Sequence, residues 1–161
     1  MKALTLTQPW ATLVAIGAKK IETRSWLISY RGPLAIHAAK GFPKYAREIF
    51  FNPVFQGVLI PAGYRKLADL PLGEVVATCE LTDVAKIVPG VDLPLGNEWN
   101  FGDYSYGRFM WTLEDVFALI RPVPAKGALR LWEWDEASVE WTWQLKSDGE
   151  KHRTVVPLIG K

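Results

Sequence analysis

GAKKIETRSWLISYRGPLAIHAAK, residues 17–40, changes its hydrophobic period twice, and those changes set the fold class. Just upstream, Trp10, Leu13, Val14 and Gly17 recur at helical spacing. Pro9 suits a first helical turn, and Gly17 suits a stop. From Lys20 the period becomes two: Lys20, Glu22 and Arg24 share one strand face, Ile21 and Thr23 the other. Arg31-Gly32-Pro33 reads as a turn. PLAIHAA (33–39) then returns as a strand, with Leu34, Ile36 and Ala38 facing one way and Ala35, His37 and Ala39 the other. A short helix, a charged strand, a turn and an apolar strand within some thirty residues point to mixed structure built on short strands.

The flanking sequence extends that pattern. ALTL (3–6) reads as a first strand, and residues 43–50 as a second short helix. The Gly- and Pro-rich segment 52–72 reads as loops or short irregular pieces. GEVVATCELTDVAKI (73–87) is the clearest strand, rich in β-branched residues. Residues 88–107 form a long irregular connection of the kind that often carries function. RFMWTLEDVFALI (108–120) is a strand with a kink expected near Glu114, and Pro122 and Pro124 separate it from a strand at 128–134. The tail suggests a hairpin turning around Ser147-Asp148-Gly149, with Val139, Trp141 and Trp143 on one face. Many short strands with a few short helices favour an α+β protein, a small and partly helical β-barrel. Long alternating βα units, which a doubly wound sheet needs, are missing.

With 161 residues, 49% of them hydrophobic and 22% charged, the chain is expected to fold as one domain around a proper core. Its single cysteine, Cys79, excludes an internal disulfide framework, and with only two histidines no zinc constellation forms. No metal or cofactor is therefore expected. The sequence shows neither a cleavable leader nor an uncharged run near the roughly 20 residues that span a bilayer. A cytoplasmic protein without membrane association is the expectation. Net charge is only +2, but residues 1–47 hold eight basic residues and a single acid, Glu22. Such asymmetry suggests a basic face, and basic faces attract polyanions.

Two readings compete for the charged stretch. Lys20, Glu22 and Arg24 are either a solvated strand face or the lining of a cleft, where the acid orients a base edge and the cations hold phosphate. Lys19, of opposite parity and just past Gly17, would aim at the cleft mouth; lowered in pKa by burial, it could act as a general base with Glu22 as partner. His37, between Ala35 and Ala39, is either a satisfied strand residue or the floor beside a ligand, with Lys40 at the strand exit meeting a phosphate. Tyr104, Ser105 and Arg108 combine ring stacking with phosphate contact, or the tyrosines merely seal one end of the barrel. Trp10 and Trp26 are candidate pocket walls, whereas most of Trp111, Trp132, Trp134, Trp141 and Trp143 are expected in the core. P-loop, dinucleotide, nucleophile-elbow, HExxH and deaminase patterns are all missing.

LTQPWATLVAIGAKKIETRSW followed by YRGPLAIHAAK resembles the opening of the ASCH domain family, and FGDYSYGRFMWTLEDVFALIRPVPAKGALRLWEW resembles the second half of its bacterial and phage-type members. The resemblance implies a small PUA-like β-barrel with short flanking helices over residues 1–134, leaving 135–161 as a C-terminal extension packed on the same domain. It implies binding of RNA or other nucleic acid, modified nucleotides included, through a pocket built around G-x-K-x-x-E-x-R. Counted from Gly17, that element falls on Lys19, Glu22 and Arg24. Some members resembling this outline are hydrolases, among them amidohydrolases acting on acetylated cytidine, in which the lysine corresponding to Lys19 is the proposed base. Their assisting threonine corresponds to Glu22, so the chain departs from that type at a catalytic position. Three readings follow: a reader of single-stranded RNA or modified nucleotides through a basic cleft; a metal-independent hydrolase of RNA or a modified nucleoside, using Lys19 and Glu22; and a protein-interaction module whose partner the sequence does not specify.

Overall fold

A computed structural model describes residues 1–145, 149 and 151–157. The chain runs β1 (Lys2–Leu6), α1 (Trp10–Ala15), β2 (Ile21–Arg24), β3 (Gly32–Ala38), α2 (Lys44–Ile49), α3 (Pro53–Leu59), β4 (Glu74–Lys86), α4 (Asn97–Asn100), β5 (Phe109–Pro124), β6 (Leu131–Glu133), β7 (Val139–Leu145) and β8 (Lys151–Pro157). Six strands form one sheet in the order β2-β5-β4-β3-β1-β6, and β7 pairs with β8 as a separate ribbon. Among the described residues only β1 and β3 run parallel, and the other pairings are antiparallel. The expected α+β architecture is present, and its barrel is a strongly curled half-barrel between the edge strands β2 and β6.

Bulges supply the curl. The β4–β5 ladder shifts register at Val75/Ala77, Thr78/Glu80 and Leu81/Asp83, and each inserted residue raises the local twist. The kink expected near Glu114 lies in this ladder, with Asp115 at φ 47°. Along β3 the two faces separate as the alternation predicts. Leu34, Ile36 and Ala38 join the main core with Leu4, Leu6, Ala11, Val14, Val76 and Trp111. Ala35 faces a second core with Ala3, Val75, Leu119, Val123, Trp134 and Val139.

Helix α1 is buried from Ala11 to Ala15, as a plug against the sheet must be. Its entry is fixed by Gln8, whose side chain accepts from Thr12 N (3.1 Å) and donates to Pro71 O (2.9 Å), next to a cis Gln8–Pro9 peptide.

Several elements differ from expectation. Residues 53–59 are helical, not loop: Asn52 accepts from Val54 N at 2.9 Å and Pro53 starts the helix, so capping outweighs the poor propensity of Gly57. Pro122 and Pro124 do not end β5, which pairs through Pro124 opposite Glu74. At that end β5 pairs only with β4, and an unpaired edge tolerates proline. Strand β6 is three residues rather than seven. Trp111 and Trp134 are core, with Trp132 and Trp141 packed against the second core. The proposed hairpin strands pair from Val139↔Pro157 to Leu145↔Lys151, while Ser147, Asp148 and the Trp143 side chain lie outside the described residues.

Candidate nucleotide-binding cleft

Three elements converge on a cleft of about 600 Å³: the outer edge of β2, the start of α1 with α2 and α3, and the segment 97–108. Trp10, Glu22, Arg24, Trp26 and Arg108 all line it, so five of the eleven sequence candidates share one concavity. Of the two readings of Lys20, Glu22 and Arg24, a uniformly solvated row does not form: Lys20 is exposed, but Glu22 is buried and Arg24 half-buried. As an edge strand, β2 is covered on its free side by residues 97–103.

That cover is fastened by hydrogen bonds between distant residues. The Glu98 carboxylate accepts from Lys20 N (2.9 Å) and Ile21 N (3.1 Å). Asp103 N donates to Thr23 Oγ1 (3.2 Å), and Arg108 Nη2 donates to Thr23 O (3.1 Å). Lys19 lies beneath this seam rather than at the cleft mouth. Only 1% exposed, it donates from Nζ to Phe101 O (3.1 Å) and to Ile21 O. Among the described residues it forms no ion pair, and it is not part of the cleft lining.

Glu22 is the polar centre. Its Oε1 accepts from Thr23 N at 3.0 Å and lies 3.8 Å from Arg24 Nε, while no hydrogen bond from the described residues engages Oε2. Arg24 spends Nη2 on Thr5 O (3.0 Å), and its buried Nε has no hydrogen-bond partner among the described residues. Across the cleft, Arg108 pairs with Asp103 at 3.5 Å. Hydrogen bonds from Ser105, the side chain's foremost, hold Asp103 below the usual carboxylate range. The lining thus carries two guanidinium groups against two carboxylates. Trp10 is braced edge-on by Phe55 and tilted against Tyr45, which is 62% exposed. Trp26 packs edge-to-face on Trp111, with Arg130 5.2 Å over its ring.

Other candidates sit elsewhere. Lys20 is exposed and contributes its backbone to the seam. Tyr104 is buried and stacks on Trp99; burial, with Glu98 and Glu22 nearby, raises its phenol well above the usual value. Ser105 is exposed and engaged with Asp103. His37 and Lys40 line a different pocket, across β1. Sequence reasoning missed Thr23, Glu98, Phe101 and Asp103, whose partners are about eighty residues away in the chain, and Tyr45.

The ASCH domain family model matches residues 4–99 of the chain. A solved structure similar to it is that of a point mutant of ZmASCH from Zymomonas mobilis, 16% identical with a TM-score of 0.43, covering 76% of this chain and 74% of that one. No curated protein matches the chain.

Proposed function

The chain belongs to the ASCH domain family, which is linked to RNA binding, and from that premise we propose that the cleft receives one nucleotide of a single-stranded RNA, modified bases included. The observation that carries this reading is a buried carboxylate with an unengaged oxygen set between two guanidinium groups and beside an aromatic wall. Glu22 Oε2 accepts an N–H from the edge of a base. Arg24 and Arg108 meet phosphate or sugar oxygens, and Trp10 with Tyr45 bears on the base face. A volume of about 600 Å³ lies within the ordinary range for ligand pockets. Because the four charges balance, the cleft suits a single nucleotide better than a long phosphate track.

Tryptophan fluorescence titrated with the four mononucleotides tests this. Saturable binding should weaken about tenfold or more in Glu22→Gln, which keeps the acceptor for Thr23 N but removes the charge. Equal affinity in parent and variant refutes the role of Glu22. Hydrolysis of an acylated nucleoside is the other reading. Lys19 as base and Glu22 as partner would require Nζ to release the Ile21 and Phe101 carbonyls. Product released without added metal and lost in Lys19→Ala would replace pure binding with that chemistry.

A further inference from the structure

On the far side of β1 lies a larger pocket, about 920 Å³, between the end of β3, the end of β5 and the strap 125–129. His37 forms part of its floor and is fully engaged. Its Nε2 is 2.9 Å from Ala125 O, which can only accept, so Nε2 carries the proton; Nδ1, 3.2 Å from Thr5 Oγ1, accepts from that hydroxyl. Trp132 Nε1 donates to the same hydroxyl at 3.0 Å and sets its ring edge-on to the imidazole. With both nitrogens satisfied and the residue only 2% exposed, His37 is a structural part of that floor and offers a ligand no proton.

Above that floor the pocket combines apolar walls with cations. Leu72, Pro124 and Leu129 are exposed, Leu129 by 92%, and Lys40 and Lys126 are exposed with no ion-pair partner among the described residues. The pocket also adjoins the cleft. Thr5 presents its hydroxyl to this pocket and its carbonyl to Arg24 of the cleft. The strap that walls the pocket continues directly into Arg130, at φ 58°, whose guanidinium covers Trp26 of the cleft. Thr5 and Leu6, adjacent in the chain, line the pocket and the cleft respectively.

We propose that this pocket is a second base subsite for the same single-stranded RNA, with Lys40 and Lys126 holding its phosphates and the apolar walls seating a base. The proposal rests on the cleft reading above and extends it from one nucleotide to a short oligonucleotide. Unpaired ammonium groups beside apolar walls are the combination that single-stranded nucleic acid selects: phosphate attraction plus a sequence-tolerant face for bases.

The test measures fluorescence-anisotropy competition by a mononucleotide and by RNA oligomers of increasing length, in the full chain. Lys40→Gln/Lys126→Gln removes two unpartnered surface charges, and Leu129→Gln removes an exposed apolar wall, so neither should disturb folding. Lengthening the oligomer should tighten binding at least tenfold in the parent. The double variant should lose most of that gain, with mononucleotide affinity unchanged and a salt-dependence slope reduced by about 1.4. Leu129→Gln should lose part of the gain with no change in slope. If affinity is independent of length while mononucleotides bind, the second subsite is wrong and the cleft reading stands. Length-dependent binding that ignores Glu22→Gln but responds to the lysines sinks the cleft reading and keeps the pocket. A length gain untouched by all three substitutions places the extra contacts elsewhere and overturns the proposal.

Discussion

Lys19→Met separates a structural pin from a chemical group. Met matches the length and apolar volume of the lysine stem, so the perturbation is confined to the ammonium. In the parent that ammonium is 1% exposed and joins the start of β2, at Ile21 O, to Phe101 O at the end of α4. Hydrogen bonds from a charged donor contribute about 1.5–3 kcal/mol each. Those figures are already net of desolvation, and relaxation of the seam around the methionine recovers part of them, so losing both bonds costs about 2–4 kcal/mol. For a domain of this size that lowers Tm by roughly 4–16 °C. Urea unfolding gives the global figure, and hydrogen exchange at the Lys20 and Ile21 amides, which Glu98 accepts, should rise at the same seam. A variant within about 0.5 kcal/mol of the parent, with unchanged exchange, would falsify the pin. If the parent hydrolysed an acylated nucleoside and such a variant did not, Lys19 would instead be acting as the base.

Gly127→Ala should destabilise by about 1–3 kcal/mol, since a Cβ there would lie 2.6 Å from His37 Cε1 and 2.8 Å from Thr5 Oγ1; an unchanged melting curve contradicts that packing. Burial lowers the His37 pKa, so the unfolded chain, with histidine near 6.5, takes up the proton first. Stability is then fully present above that pH and lost as pH falls through it; urea midpoints at pH 7.5 and 5.5 should differ less in His37→Gln than in the parent, and an equal difference refutes the linkage. Cys79 is buried, with its thiol pushed up to about 12 chiefly by desolvation, so a thiol reagent should leave the native protein unlabelled and label it promptly in denaturant. Fast labelling under native conditions would show that the β3–β4 core opens.

Periodicity made some of this molecule legible and topology hid the rest. The switch at Gly17 and the two faces of β3 could be read because a strand's parity is local: Ile36 and His37 must face opposite ways whatever the fold. Which layer each face meets depends on β1 lying parallel to β3, and no local pattern encodes that. His37 and Lys40 therefore stood beside Lys19 and Glu22 in the sequence yet belong to a pocket across β1. Helix α3 was signalled by Asn52-Pro53, a cap followed by a first-turn proline, but Gly57 and the surrounding prolines obscured it. Glu98 and Asp103 carried no signal at all. Glu98 accepts from backbone amides at the entry to β2 and the Asp103 amide donates to the Thr23 hydroxyl, and any acid in a long connection looks equally solvated until the chain closes.

The same contrast decides how strongly the protein should respond to salt. The first 47 residues carry eight basic side chains against one acid, which in sequence suggests a continuous basic face. Folding disperses them. Lys2 pairs with Glu133, Lys44 with Glu48, Arg31 donates to the Ile28 and Tyr30 carbonyls, and Lys19 is sealed in the seam. Glu22 and Asp103 further offset the two arginines of the cleft. On the proposed reading, phosphate contacts fall to Arg24 and Arg108 in one pocket and Lys40 and Lys126 in the other. Each phosphate neutralised on a single strand contributes about 0.7 to the slope of log affinity against log salt. Four contacts set a limit near −3, whereas a groove using all eight residues of the basic half would approach about −5.6. A slope that steep for a short RNA would mean that the exposed Lys20 and Arg47 surfaces, not the two pockets, carry the strand.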